Sequence, residues 1–107
     1  MSQAVVHNKT VYLAGQVSES PKGKNVTEQT RDILASIDRL LALAGTDKSR
    51  LLSATIWLTD FSTFGEMNKV WEGWVVPGAT PARATVLSQQ LAGPDYKIEI
   101  GIIAAQA

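Results

Sequence analysis

An arginine set among small and apolar residues, in Thr80-Pro-Ala-Arg83-Ala-Thr-Val86, is the feature of this sequence most able to do chemistry. Pro81 fixes its own backbone and pushes Thr80 toward an extended form, so a strand begins here. Alternation then puts Arg83, Thr85 and Leu87 on one face and Ala84 and Val86 on the other. An arginine so placed is either a surface charge or a sheltered cation awaiting an anion. Sheltered and unpaired it would cost several kcal/mol, so the second case demands a partner, which a ligand carboxylate would supply. The nearest carboxylate by pattern is Glu99. If the last two strands pair about the Gly93-Pro94 turn, Glu99 falls opposite Thr85, within a residue or two, on the face of Arg83. The pair then reads either as a structural ion pair, or as an arginine that anchors a substrate carboxylate while the glutamate handles a proton or a water.

Other groups add less. Asn68 lies at the edge of an apolar helical stripe, where it is a packing residue or a ligand contact. Trp71 and Trp74 read as core, although an aromatic can also wall a small pocket. His7 sits beside a turn. Gly15 ends a strand, and its bare amide could also approach a ligand closely. With no cysteine and one histidine, disulfides, thiolate chemistry and multi-histidine metal centres are excluded. Ten basic and ten acidic side chains cancel, and Lys9, Lys22, Lys24 and Lys48 are scattered, so nucleic acid is not the expected partner. The N-terminus lacks the basic cap and apolar run of a signal peptide, and no stretch approaches the roughly 20 apolar residues of a membrane span. The expectation is a soluble cytoplasmic protein forming one domain over residues 1–107.

The elements that must position these groups are legible in order. Ala4 to Leu13 is a hairpin about Asn8-Lys9, closed by Gly15. Ser18 to Asn25 is a polar loop. Val26 to Ala44 is a helix with the stripe Ile33, Leu34, Ile37, Leu40, Leu41, Ala44, capped by Asn25 or Thr27 and ended by Gly45. Leu51 to Leu58 is a strand with Leu52, Ala54, Ile56 and Leu58 on one side and Ser53, Thr55 and Trp57 on the other. A second helix runs from about Thr63 to Val75, opened by a Thr63-x-x-Glu66 capping box and striped by Phe64, Met67, Trp71, Trp74 and Val75. Gly65 and Gly73 weaken it by about 1 kcal/mol each relative to alanine. After the Arg83 strand and a turn at Ala92 to Asp95, the last strand, Tyr96 to Ala105, puts Ile98, Ile100 and Ile102 on one face and Lys97, Glu99, Gly101 and Ile103 on the other.

The order ββαβαββ gives an α+β fold, one mixed sheet backed by two helices. Two helices cover one face of five strands. The other would carry Trp57, Leu87 and Ile103 beside Ser53, Thr55, Thr85, Arg83 and Glu99. That mixture is too apolar for open solvent, so a homo-oligomer packed sheet to sheet is expected.

Several blocks together, Val11-Tyr-Leu-Ala-Gly-Gln16, Ala54-Thr-Ile-Trp-Leu-Thr-Asp60-Phe, Met67-Asn-Lys-Val-Trp71, Pro81-Ala-Arg83-Ala-Thr85-Val and Tyr96-Lys-Ile-Glu99-Ile, resemble the Rid (YjgF) family of enamine/imine deaminases, in its YoaB-like branch. The resemblance spans nearly the whole chain. It implies a chorismate mutase-like fold, a homotrimer whose sheets form a central barrel, and a ligand cleft between each pair of subunits. It also implies that Arg83 binds the carboxylate of a 2-imino or 2-aminoacrylate acid and that Glu99 positions the attacking water. Gly15, Asn68 and the backbone at Thr85 would line the cleft; Trp71, which the helix stripe itself offers as a pocket wall, is expected to contact the substrate beside them. No metal or other cofactor is implied. Two positions depart from the best-studied branch, Thr85 for its cysteine and Ala14 for its serine, and its N-terminal aromatic has no counterpart here; these changes bear on substrate preference. The activity expected is hydrolysis of 2-imino acids to 2-keto acids and ammonia. The alternative on the same scaffold is a non-catalytic binder or sensor of small carboxylates.

Overall fold

The computed structural model describes residues 1–107, and its elements follow the expected order: β1 (Ala4–His7), β2 (Thr10–Leu13), α1 (Val26–Leu43), β3 (Leu51–Leu58), α2 (Phe64–Trp74), β4 (Ala82–Leu87) and β5 (Ile98–Ala105). The β1–β2 turn holds Asn8 and Lys9 at φ 49° and 60°, the left-handed pair that matches the twist of a two-residue hairpin. Asn25 caps α1 in a full capping box with Glu28. At the other end Gly45 (φ 78°) lets Thr46 N–H reach Leu41 O at 2.9 Å and its own N–H reach Ala42 O at 3.1 Å. This is a Schellman stop, and it satisfies two carbonyls that the helix leaves open.

The five strands lie in the order β1-β2-β5-β3-β4, with β3 and β4 parallel and the other neighbours antiparallel. This overturns the pairing expected of the last two strands. β5 does not sit beside β4; β3 separates them, pairing Ala54 with Arg83 on one side and with Ile102 on the other. Buried Ala54, Ile56 and Leu58 therefore share a face with Arg83, Thr85 and Leu87, and that face looks at the helices. Trp57, Glu99, Gly101 and Ile103 look the other way, beside Ala84 and Val86. Arg83, Thr85 and Leu87 thus do not belong to the uncovered face, contrary to the expectation from alternation and a β4–β5 pair.

Two smaller expectations also change. A β-bulge between Leu51 and Ser53 brings Leu51 into the core and leaves Leu52 half exposed, because an extra residue shifts the alternation upstream of it. Thr63 makes no side-chain cap to α2. Instead Asp60 caps a short 3-10 turn, Phe61–Thr63, by accepting from Ser62 N–H at 3.0 Å, and Thr63 Oγ1 donates to Asp60 O at 2.6 Å.

The core lies between the helices and the inner sheet face, from Val11 through Ile33, Ile37 and Leu41 to Ile56, Met67, Ile98 and Ile100, all fully buried. Of the expected α1 stripe, Leu40 and Ala44 only flank it. At its edge Gln29, also fully buried, donates to Pro21 O, Lys24 O and Asp95 O and accepts from Lys97 N–H. One amide thereby ties the loop before α1 to the loop before β5. No helix is long and apolar enough to cross a membrane. The outer sheet face keeps Val5, Tyr12 and Val86 exposed, beside half-buried Trp57 and Ile103.

Candidate functional site

The guanidinium of Arg83 is built into place by α2. Phe64, Asn68 and Trp71 fall at i, i+4 and i+7 and so share one helical face. Asn68 Oδ1 accepts from Arg83 Nη1 at 2.7 Å. The rings of Phe64 and Trp71 each lie 5.6 Å from the guanidinium carbon, within cation–π range. Trp71, 4 % exposed, is itself backed by Trp74 at 5.4 Å. Asn68 and the two rings therefore fix the cation without neutralising it. The two ion pairs of the chain are Lys24–Asp32 and Arg39–Glu19, so Arg83 has no carboxylate partner and keeps its anion-binding capacity. Thr85 lies two residues along the same strand face. Its Oγ1 is the only buried side-chain polar atom left without a hydrogen-bond partner.

Glu99 belongs to a different place. It lies on the outer sheet face, paired across to Trp57, and its carboxylate packs over Gly15. A Cβ added to Gly15 would strike Glu99 Oε2 and stand 2.9 Å from its Cδ. The next residue, Gln16, bridges to Ile100 through two backbone hydrogen bonds of 2.8 and 3.0 Å. That bridge presses Gly15 against β5, so the Glu99 carboxylate can lie where it does only while position 15 carries no side chain; the φ here is not positive. Beyond it, Gly101 leaves room for the Trp57 ring at 3.4 Å from where its Cβ would be. The Glu99 carboxylate makes neither a hydrogen bond nor an ion pair within the chain.

The expected residues therefore fall into two groups. Arg83, Asn68, Trp71 and Thr85 stand together on the helix side of β4, joined by Phe64. The sequence shows Phe64 only as a stripe residue, although its spacing from Asn68 and Trp71 was the available signal. Glu99 and Gly15 stand together on the outer face. In register terms Glu99 is three residues along and two strands across from Arg83, about 14 Å between backbones at ordinary sheet spacings, and on the opposite face. The structural ion pair is thereby ruled out. No small molecule reaches both groups of one chain. Asn68 also gains a more definite role, that of orienting the arginine.

Residues 1–106 match the family described as Endoribonuclease L-PSP. The chain belongs to this family. The RutC family protein YoaB of Escherichia coli is 46% identical over 104 residues, covering 97% of this chain and 89% of that protein. A crystal structure of a YjgF family member from Neisseria meningitidis superposes with a TM-score of 0.95 at 46% identity, covering 100% of this chain and 87% of that one. More distantly, the mouse 2-iminobutanoate/2-iminopropanoate deaminase is 32% identical over 111 residues, 98% of this chain and 80% of that protein. The two helices on a mixed five-stranded sheet are thus the fold of the YjgF proteins.

Proposed function

We propose that the chain is a cofactor-independent hydrolase of reactive 2-imino and enamine acids, working in a cleft shared by two copies of itself. The observation that carries this reading is Arg83, a cation fixed by Asn68, Phe64 and Trp71 yet free of any carboxylate. The separation of Glu99 from it supports the shared cleft, since a second copy would bring its own Glu99 and Gly15 to the first copy's arginine. The half-apolar outer sheet face supports the same assembly, a homotrimer with the sheets packed around a common axis.

The chemistry asks little of the protein. The substrate carboxylate docks on the guanidinium through charge-assisted hydrogen bonds, each worth about 1.5–3 kcal/mol. Glu99 of the neighbouring copy takes a proton from a water as its oxygen adds to the imine carbon. Glu99 hands that proton to the nitrogen and then relays the second from the added hydroxyl to the same nitrogen; the carbonyl forms as the carbon–nitrogen bond breaks, and a 2-keto acid and ammonia leave. An imine is already electrophilic, so positioning and one proton relay suffice. Thr85, two residues along the same strand face as Arg83, would offer its backbone to the substrate beside the carboxylate. The ribonuclease in the family's description has less to work with here: charges that sum to zero and a single, exposed histidine do not make an RNA-cleaving surface.

The test is keto-acid release from imines generated in situ by an amino-acid oxidase. Wild-type protein is expected to accelerate it, and Arg83→Ala and Arg83→Gln to abolish the acceleration while staying folded by circular dichroism. Full activity in both variants refutes the assignment. Keto-acid binding that Arg83→Ala removes, with no acceleration by the wild type, makes the protein a carboxylate binder instead. Sedimentation as a monomer defeats the shared cleft.

A further inference from the structure

A cavity of about 710 Å³ lies away from Arg83, in the outer groove between α1 and α2. That is the size of pocket that takes small organic molecules. Its floor is apolar: Leu34, Val70, Gly73 and the Trp74 ring. Its rim carries Arg31, Lys48 and Lys69, none of which has a carboxylate within 4 Å. Two acids, Asp38 and Glu66, share the rim with these three cations, and each accepts from a neutral donor that also lines the groove. Asp38 takes the Trp74 indole N–H at 3.1–3.2 Å on its two oxygens, and Glu66 takes the Thr27 hydroxyl at 3.3 Å. Lys48 Nζ stands 5.5 Å over the Trp74 ring, so one positive charge sits directly at the edge of the apolar floor.

Gly73 supplies an independent observation. It lies within α2, where glycine weakens a helix, yet its φ is not positive and a Cβ there would meet nothing within 4 Å. Neither backbone conformation nor the chain's own packing calls for glycine. What its missing side chain does is keep the groove floor open.

The geometry points to a second binding site here, for an organic anion with a flat apolar body and a single charged head. The body lies on Leu34, Val70, Gly73 and Trp74, and the head meets Arg31, Lys48 and Lys69. A carboxylate or a phosphate monoester serves equally as the head. The site uses the outer face of α2, and the opposite face of the same helix holds Arg83.

The test is a titration of the ¹⁵N-labelled protein with 1-naphthoate and with 1-naphthyl phosphate, following the three tryptophan indole signals and the amides of Val70 and Gly73. Trp74→Phe assigns its indole. Saturable shifts of Trp74 and Gly73 are expected with one or both compounds, and the comparison tells which head is preferred. Inorganic phosphate and 1-naphthol alone are expected to produce none. Gly73→Leu, which keeps a good helix former at the position, is expected to abolish binding, and the triple change Arg31→Ala, Lys48→Ala, Lys69→Ala to weaken it about tenfold. Arg83→Ala is expected to leave it intact, which separates this site from the proposed reaction. No saturable shift up to about 10 mM overturns the inference. So does binding that survives Gly73→Leu, that ignores loss of the three cations, or that disappears with Arg83.

Discussion

Gly15→Ala displaces the Glu99 carboxylate without changing Glu99 itself. A methyl group at this position would stand 2.9 Å from Glu99 Cδ and still closer to Oε2. Ordinary carbon–carbon contact lies near 3.5–4.0 Å, so the carboxyl group must retreat by about 1 Å. The retreat is cheap for the fold. The colliding atoms are the free end of a flexible side chain, Gly15 is exposed, and its φ is not positive. For the reaction it is costly, because a misplacement of that size loses on the order of 10²-fold, about 2.7 kcal/mol in the barrier. The assay is steady-state keto-acid formation from oxidase-generated imines, with thermal melts in parallel. Gly15→Ala is expected to lower kcat about 10²-fold at an unchanged melting temperature. Combined with Glu99→Gln it is expected to add nothing further, since both changes act through one carboxylate. A variant with normal kcat, or losses that multiply in the double variant, would show that Glu99 does not position the water.

Two further expectations concern the frame around the site. Gln29→Ala strips one buried N–H and three carbonyls of their partner. A loss of about 3 kcal/mol or more follows at the usual cost of buried unpaired groups, a fall in Tm on the order of 10–20 °C by calorimetry, and a fall of under 2 °C would contradict the bridging role. The Asp32 carboxyl is held below its ordinary range, first by the hydrogen bond from Lys24 Nζ at 2.6 Å and next by the Ser18 hydroxyl at 2.7 Å. Its folded pKa is depressed, so its contribution is complete above the unfolded value near 3.8 and is lost as pH falls through the lower folded value. Asp32→Asn should therefore flatten the acid side of the stability curve below about pH 4 in urea titrations, and a curve parallel to the parent's would remove Asp32 from that role.

Much of this was written in local chemistry. Asn8-Lys9 specified its hairpin, Asn25 and Gly45 bracketed α1, and Pro81 opened β4, because turns and caps depend on residues within a few positions of each other. Alternation gave the two faces of β4 and β5 for the same reason. The identities of Arg83 and Glu99 as the groups worth watching also came from residue type and setting. What the sequence left open was which strand lies beside which, since that is decided by pairing between segments far apart in the chain. Inserting β3 between β4 and β5 turned Arg83 toward the helices and Glu99 away from them. A supposed pair on one surface thus became two separate groups on opposite faces. Asn68, Phe64 and Trp71 could be read as helical neighbours, but only the packing of α2 against β4 made them the cradle of a cation. The groove and its open glycine likewise exist only once two helices lie side by side, because a concave surface belongs to no single segment.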